Sequence, residues 1–178
     1  MVRPAPRRPA PRGSRRVGVL LGFLYLVSLV SPLGTGTIAR AADEAVAIVV
    51  GQSSPTTALT LDEVRAIFRL DQQFWPDGSR IVVYLPPSRS VARRVLLEEV
   101  YRRSDAGLRK FWIGKLFRGV IPAIPATLRT SRAIVSALRA SPASISAMAA
   151  SQVPEGLRAL VIDGHTTTSA GYPLVAGR

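Results

Sequence analysis

Residues 45–68 read AVAIVVGQSSPTTALTLDEVRAIF, and the fold class turns on this stretch. Ala45-Val46-Ala47-Ile48-Val49-Val50 is a short, almost wholly apolar run that stops at Gly51. Such a run fits a strand buried on both faces, as in a parallel sheet. Gln52-Ser53-Ser54-Pro55 is loop chemistry. Thr60-Leu61-Asp62-Glu63 then spells a capping box, in which the Thr60 hydroxyl and the Glu63 carboxylate reciprocally satisfy orphan amides at a helix start. The predicted helix places Leu61, Val64, Ile67 and Phe68 on one face. A buried strand followed by an amphipathic helix is the building unit of an α/β sheet.

Downstream the alternation continues. Trp75-Pro76-Asp77-Gly78 predicts a turn, and residues 80–85 (RIVVYL) a second strand that Pro86-Pro87 ends, because proline cannot donate to a ladder. A helix is expected from about Ser90 to Tyr101, with Val91, Val95, Leu96 and Val100 inward. Ser104-Asp105 caps a third helix, with Leu108, Phe111, Trp112 and Leu116 on its apolar side. Residues 119–125 form an irregular crossing. Ser131 opens a helix that buries Ile134, Val135 and Leu138. Ser141-Pro142 reads as an N-cap followed by proline, which predicts another short helix through Met148. Residues 157–162 (LRALVI) are a strand, turned by Asp163-Gly164. The expected fold is α/β, a mixed or parallel sheet flanked by helices, over residues 42–164. Residues 165–178 are a polar, Gly-rich tail: loop with at most one edge strand.

Upstream, residues 1–41 form an export leader. Residues 1–16 are Arg- and Pro-rich, residues 17–30 are an uncharged apolar run, and Pro32 and Gly34 break the helix. Ala39-Arg40-Ala41 supplies the small residues of a cleavage site, so cleavage is expected after Ala41. Arg15-Arg16 resemble a twin-arginine signal, although Gly18 stands where a large apolar residue belongs. The competing reading is an uncleaved anchor, since residues 17–39 carry no charge over a bilayer-spanning length. Either way the folded part is placed in the periplasm or outside the cell.

The leader also explains the charge. The chain carries +13, from 24 Lys and Arg against 11 Asp and Glu. Seven of those cations and none of the acids lie in residues 1–41, so the folded part is only moderately basic. Arg89, Arg93, Arg94, Arg102, Arg103, Arg109, Lys110, Lys115 and Arg118 crowd its middle, interleaved with Glu98, Glu99 and Asp105. They read as a solvated helix surface, and no nucleic-acid partner is expected. With no cysteine, the chain has neither a disulfide framework nor a thiolate for catalysis or metal binding.

No catalytic set presents itself. His165, the single histidine, sits in a Gly-Thr flank with no partner nearby. Asp62-Glu63 and Glu98-Glu99 are adjacent helical residues, which do not share a face. No metal or cofactor is expected, and the function is read as binding. One feature points to a ligand: the strand ending at Leu85 leads through Ser88-Arg89-Ser90 into a helix. Backbone amides, hydroxyls, a guanidinium and the positive end of a helix dipole converge at such a place, forming an anion trap. Ordinary N-capping by Ser88 or Ser90, with Arg89 in water, accounts for the same residues.

Several segments together carry a resemblance. Val49-Val50 with Ser54-Pro55, and then Leu59-Thr60-Leu61-Asp62-Glu63-Val64-Arg65-Ala66-Ile67-Phe68, resemble a segment of the phosphate-type substrate-binding proteins of ABC transporters. Trp75-Pro76-Asp77-Gly78 with Ile81-Val82-Val83, the helix around Trp112, and Gly171-Tyr172-Pro173-Leu174 are similar to later segments of that family. The resemblance covers residues 46–164 and implies a single lobe of a type II periplasmic binding protein, whose full-length members clamp a ligand between two α/β lobes. It implies phosphate or another small oxyanion as ligand, held by Ser88, Arg89 and Ser90 with a loop contribution from Ser53 or Ser54, and an ABC permease as partner.

The departures are specific. Pro86-Pro87-Ser88-Arg89-Ser90-Val91 stands where full-length members carry Arg with Ser-Gly-Thr. Ser144-Ile145-Ser146-Ala147-Met148-Ala149 replaces a late glycine-bearing strand, and only the leader precedes Val46. The alternative is therefore an interaction module that has lost its ligand and meets an envelope protein or the membrane surface through its basic helices. The membrane is otherwise expected as a partner only through an uncleaved leader. A truncated gene product is a third reading.

Overall fold

The computed structural model describes residues 44–177. The leader and its cleavage point after Ala41 lie outside the described residues. The chain folds as a mixed α/β sheet flanked by helices on both faces, in the order β1 (Val46–Gly51), β2 (Ala58–Leu59), α1 (Leu61–Phe68), β3 (Val82–Leu85), α2 (Val91–Val95), α3 (Asp105–Phe117), β4 (Ala126–Thr127), α4 (Ser131–Ala140), β5 (Ser144–Ala149), β6 (Leu157–Ala159) and β7 (Val161–Ile162). A π-helical segment, Leu96–Tyr101, continues α2 directly.

The main sheet runs β4-β3-β5-β1-β6, and β2 pairs β7 apart from it. β3 is parallel to β4 and to β5, whereas β1 is antiparallel to both β5 and β6. So β1 is buried on both faces as its composition implies, but its neighbours do not run with it. Two-sided burial comes from the helices above and below, and that signal is blind to strand direction. On one face Val46, Ile48, Val50, Ile145 and Ala147 pack against α1, α2 and α3. On the other, Ala47, Val49 and Met148 meet Ile134 and Leu138 of α4.

The Thr60 box forms as its spelling requires: the Glu63 N–H donates to Thr60 Oγ1 at 3.2 Å, and the Thr60 N–H donates to the Glu63 carboxylate at 2.7 Å. Ser104 caps α3 through the Gly107 N–H. The turn at Trp75–Gly78 closes by a 2.9 Å bond from Gly78 N to Trp75 O.

The structure corrects four expectations. Residues 144–149 are not a helix but β5, wholly buried between β3 and β1. Its two polar side chains fit a central strand because Ser146 Oγ donates to Tyr84 O at 2.9 Å and Ser144 Oγ to Ser141 O at 2.6 Å. Residues 157–162 divide between two sheets, with buried Leu160 at the junction donating its N–H to Ile48 O. On α3, Leu116 lies exposed, and Lys115 takes the inward place, bonding Arg69 O and the Asp71 carboxylate. In the tail the edge strand reduces to two isolated bridges, Ala45 with Val175 and Ile162 with His165, while Tyr172 and Leu174 lie in the core. Tyr172 reaches it by donating its hydroxyl to Val46 O at 2.9 Å.

Candidate functional site

Topology places two helix N-termini at one edge of the sheet. α2 follows β3, so it starts beside the carboxyl end of β3. α4 precedes β5 and leads into that strand's amino end, so the N-terminus of α4 lies beside the carboxyl end of β5. Because β3 and β5 are parallel neighbours, both helix starts meet there, α2 from one face and α4 from the other. Each directs unsatisfied N–H groups and the positive end of its dipole at the same edge.

A cavity of about 250 Å³ sits at this edge. Arg89, Ser90 and Val91 line it from α2, Ser131 and Ile134 from α4, and Ala147 to Ala149 from β5. Pro86 and Pro87 hold the turn between β3 and α2, and Glu44 and Gln152 complete the rim. The Glu44 carboxylate accepts from Ser151 Oγ at 3.0 Å, and Ser131 Oγ donates to Gln152 Oε1 at 3.3 Å.

The five residues singled out in the sequence fare differently. Arg89 and Ser90 line the cavity, while Ser88 is exposed on the turn outside it. Ser90 is the N-cap of α2: its oxygen accepts from Arg93 N at 3.1 Å and its proton goes to Pro87 O at 2.7 Å. Its hydroxyl is thus committed to the helix start. Arg89 has no ion pair among the described residues, so its guanidinium is open to an anion. Ser53 and Ser54 are not brought to this place. They follow the carboxyl end of β1, which by its register lies at the amino end of β5. The six-residue strand separates them from the cavity by roughly 15–20 Å. Ser54 instead faces inward, with its hydroxyl buried and unpaired, while its carbonyl accepts from Arg158.

Sequence reasoning missed Ser131, Glu44 and Gln152. Ser131 was legible as a helix start, but its place in the Arg89 cavity depends on β3 and β5 being adjacent, and nothing local encodes that. Among the described residues no group of three or more His, Cys, Asp or Glu side chains gathers as a metal site.

A mixed sheet with helix N-termini at the carboxyl ends of its parallel strands is an α/β lobe with an open crevice at that edge. Solved structures of that class match this chain. One is a phosphate ABC transporter substrate-binding protein from Clostridium perfringens with bound phosphate: TM-score 0.61, 18% identity, covering 76% of this chain and 54% of that one. Another is PstS from Borrelia burgdorferi: TM-score 0.59, 12% identity, covering 76% and 56%. The chain therefore has the fold of these binding proteins, over just over half their length. No protein-family model matches it, and no curated protein matches it.

Proposed function

We propose that this chain is an exported solute-binding lobe that holds phosphate or another small oxyanion at the edge where α2 and α4 begin, as the binding component of an ABC transporter. The observation that carries the reading is the convergence of two helix N-termini on one cavity beside the unpaired Arg89. Helix-end amides and a guanidinium together supply charge-assisted donors without buried countercharge. The fold shared with phosphate-binding proteins supports it, as does the leader at residues 1–41, which would deliver the folded part to the periplasm or beyond.

Glu44 narrows the ligand. A carboxylate on the rim repels a bare dianion and accepts a hydrogen bond from one that keeps a proton. Phosphate near neutrality carries such a proton and sulfate does not. The single lobe leaves part of the anion in water, so binding will be weaker than enclosure between two lobes.

Calorimetric titration of phosphate into the chain at low salt, with sulfate as comparison, tests this. Saturable binding that prefers phosphate is expected, and Arg89→Ala should weaken it by roughly 1–3 kcal/mol, the range for a charge-assisted contact. Binding unaltered in that variant removes Arg89 from the site. Absence of heat up to millimolar phosphate removes the function itself and leaves the interaction module.

A further inference from the structure

A second surface lies at the other end of the sheet. All seven large apolar side chains exposed among the described residues belong to one region of the fold. Five come from the end of α3 and the loop after it: Ile113, Leu116, Phe117, Val120 and Ile124. Ile113 stands four residues before Phe117 and three before Leu116, so these three share a helix face. Phe117 is the extreme case, 87% exposed at the last position of α3. Phe74 and Val82 adjoin this group. Gln73 donates to Val120 O at 3.3 Å, and Val82 lines a hollow together with Ile124.

Cations outnumber carboxylates around the patch. Residues 106–125, which hold α3 and the loop after it, contain four Lys and Arg and no Asp or Glu. Arg109 and Lys110 precede Ile113 on exposed turns of α3, Arg118 follows Phe117, and the Arg80 guanidinium lies 5.8 Å from the Phe74 ring centre. Two carboxylates come near. Asp71 is paired with Lys115, and Asp77 is held in its turn by Ser79 N and Oγ.

We propose that this face docks on an anionic lipid surface. Phe117, Leu116 and Ile113 would enter the boundary between headgroups and acyl chains, with Arg109, Lys110 and Arg118 at headgroup level. Charge complementarity selects the occupant. A second copy of the chain would set these cations against one another, and a neutral surface would leave them without counterions. A phenylalanine that protrudes from a helix end needs a matching hollow in a protein partner, whereas a bilayer adapts to any shape. The patch sits at the amino ends of β3 and β4, opposite the Arg89 cavity, so docking leaves that cavity facing away from the lipid. This contact is separate from any made by the leader.

Because residues 17–30 are apolar enough to bind vesicles themselves, the test reads the face locally. The chain has no cysteine, so Phe117→Cys in the full chain accepts a single environment-sensitive dye, with Ser136→Cys on exposed α4 as reference. Vesicles of phosphatidylcholine with phosphatidylglycerol should shift the dye at 117 to the blue and leave that at 136 unchanged. Adding Lys110→Glu and Arg118→Glu should weaken this response at least tenfold. No shift at 117 on anionic vesicles overturns the proposal, even if the chain sediments with them. An equal shift on pure phosphatidylcholine overturns the role of charge, and a shift confined to a mixture with an acidic protein assigns the face to a protein.

Discussion

Arg93 shows how one residue can look like surface in the sequence and behave as core. It is 6% exposed on α2, and its Nε and Nη2 both donate to Asp105 Oδ1, at 3.1 and 2.9 Å. Its Nη1 is buried without a partner. Removing Asp105 would leave the guanidinium uncompensated, whereas removing the cation abolishes the need for compensation. Asp105→Asn should therefore cost about 2–3 kcal/mol in urea unfolding, below the range for fully enclosed pairs because Asp105 is 40% exposed. Arg93→Met, apolar and of similar reach, should change stability by less than that. The reverse ranking would mean that the guanidinium's own contacts, beyond its pairing with Asp105, hold this part of the fold. At the start of α1, Thr60→Ala removes one side of the capping box and should cost about 1 kcal/mol, measured by the same unfolding curves.

Between elements, β1 and α4 approach closely at Gly51. A methyl group there would collide with the carbonyl oxygen of Leu138, near the end of α4. The obstacle is backbone, so α4 or β1 must move to admit it. Gly51→Ala should destabilise the fold by about 1–3 kcal/mol in thermal or urea unfolding, the usual cost of overpacking. An unchanged midpoint would show that α4 rides freely on the sheet. This contact also bears on where α4 begins, seven residues before Leu138, and so on the place of Ser131 in the lining of the Arg89 cavity. Substitution at Gly51 should thus weaken phosphate binding from the far end of the strand.

For the whole molecule, the buried phenols set an alkaline limit. Burial pushes the Tyr172 hydroxyl up to about 12, and burial likewise raises Tyr101, whose hydroxyl donates to Phe68 O at 2.9 Å. A phenol whose folded pKa exceeds its unfolded value of about 10 contributes constant stability below that pH. The contribution is lost as pH rises from about 10 through 12, where only the unfolded chain readily sheds the proton. Stability should fall steeply over that window, and Tyr172→Phe should flatten the fall while lowering stability at neutral pH by the lost bond to Val46 O. A pH profile identical in Tyr172→Phe would place the limit elsewhere. Tyr172 binds the last segment to β1, so shortening the chain before it should expose the first strand.

The sequence by itself determined β1, the Thr60 capping box, the Trp75 turn and the starts of α3 and α4, because each signal is local: apolar runs, cap spellings and turn residues report on their own backbone. It also singled out the Ser88-Arg89-Ser90 turn, as an anion trap or as an ordinary helix cap. Tertiary structure decided the rest. Ser144 to Ala149 became the central strand only because β3 and β1 pair with it on either side, overriding Ser, Ala and Met residues that suit a helix equally well. Strand direction, and with it the separation of Ser53 and Ser54 from Ser88, Arg89 and Ser90, follows from chain crossovers that no local pattern records. Glu44, Ser131 and Gln152 meet Arg89 through β3–β5 adjacency across long sequence separations. The exposure of Leu116 in place of Lys115 depends on Asp71 and the Arg69 carbonyl waiting on another element. Short-range physics wrote the elements into the sequence, and long-range pairing chose which of their ends would share a site.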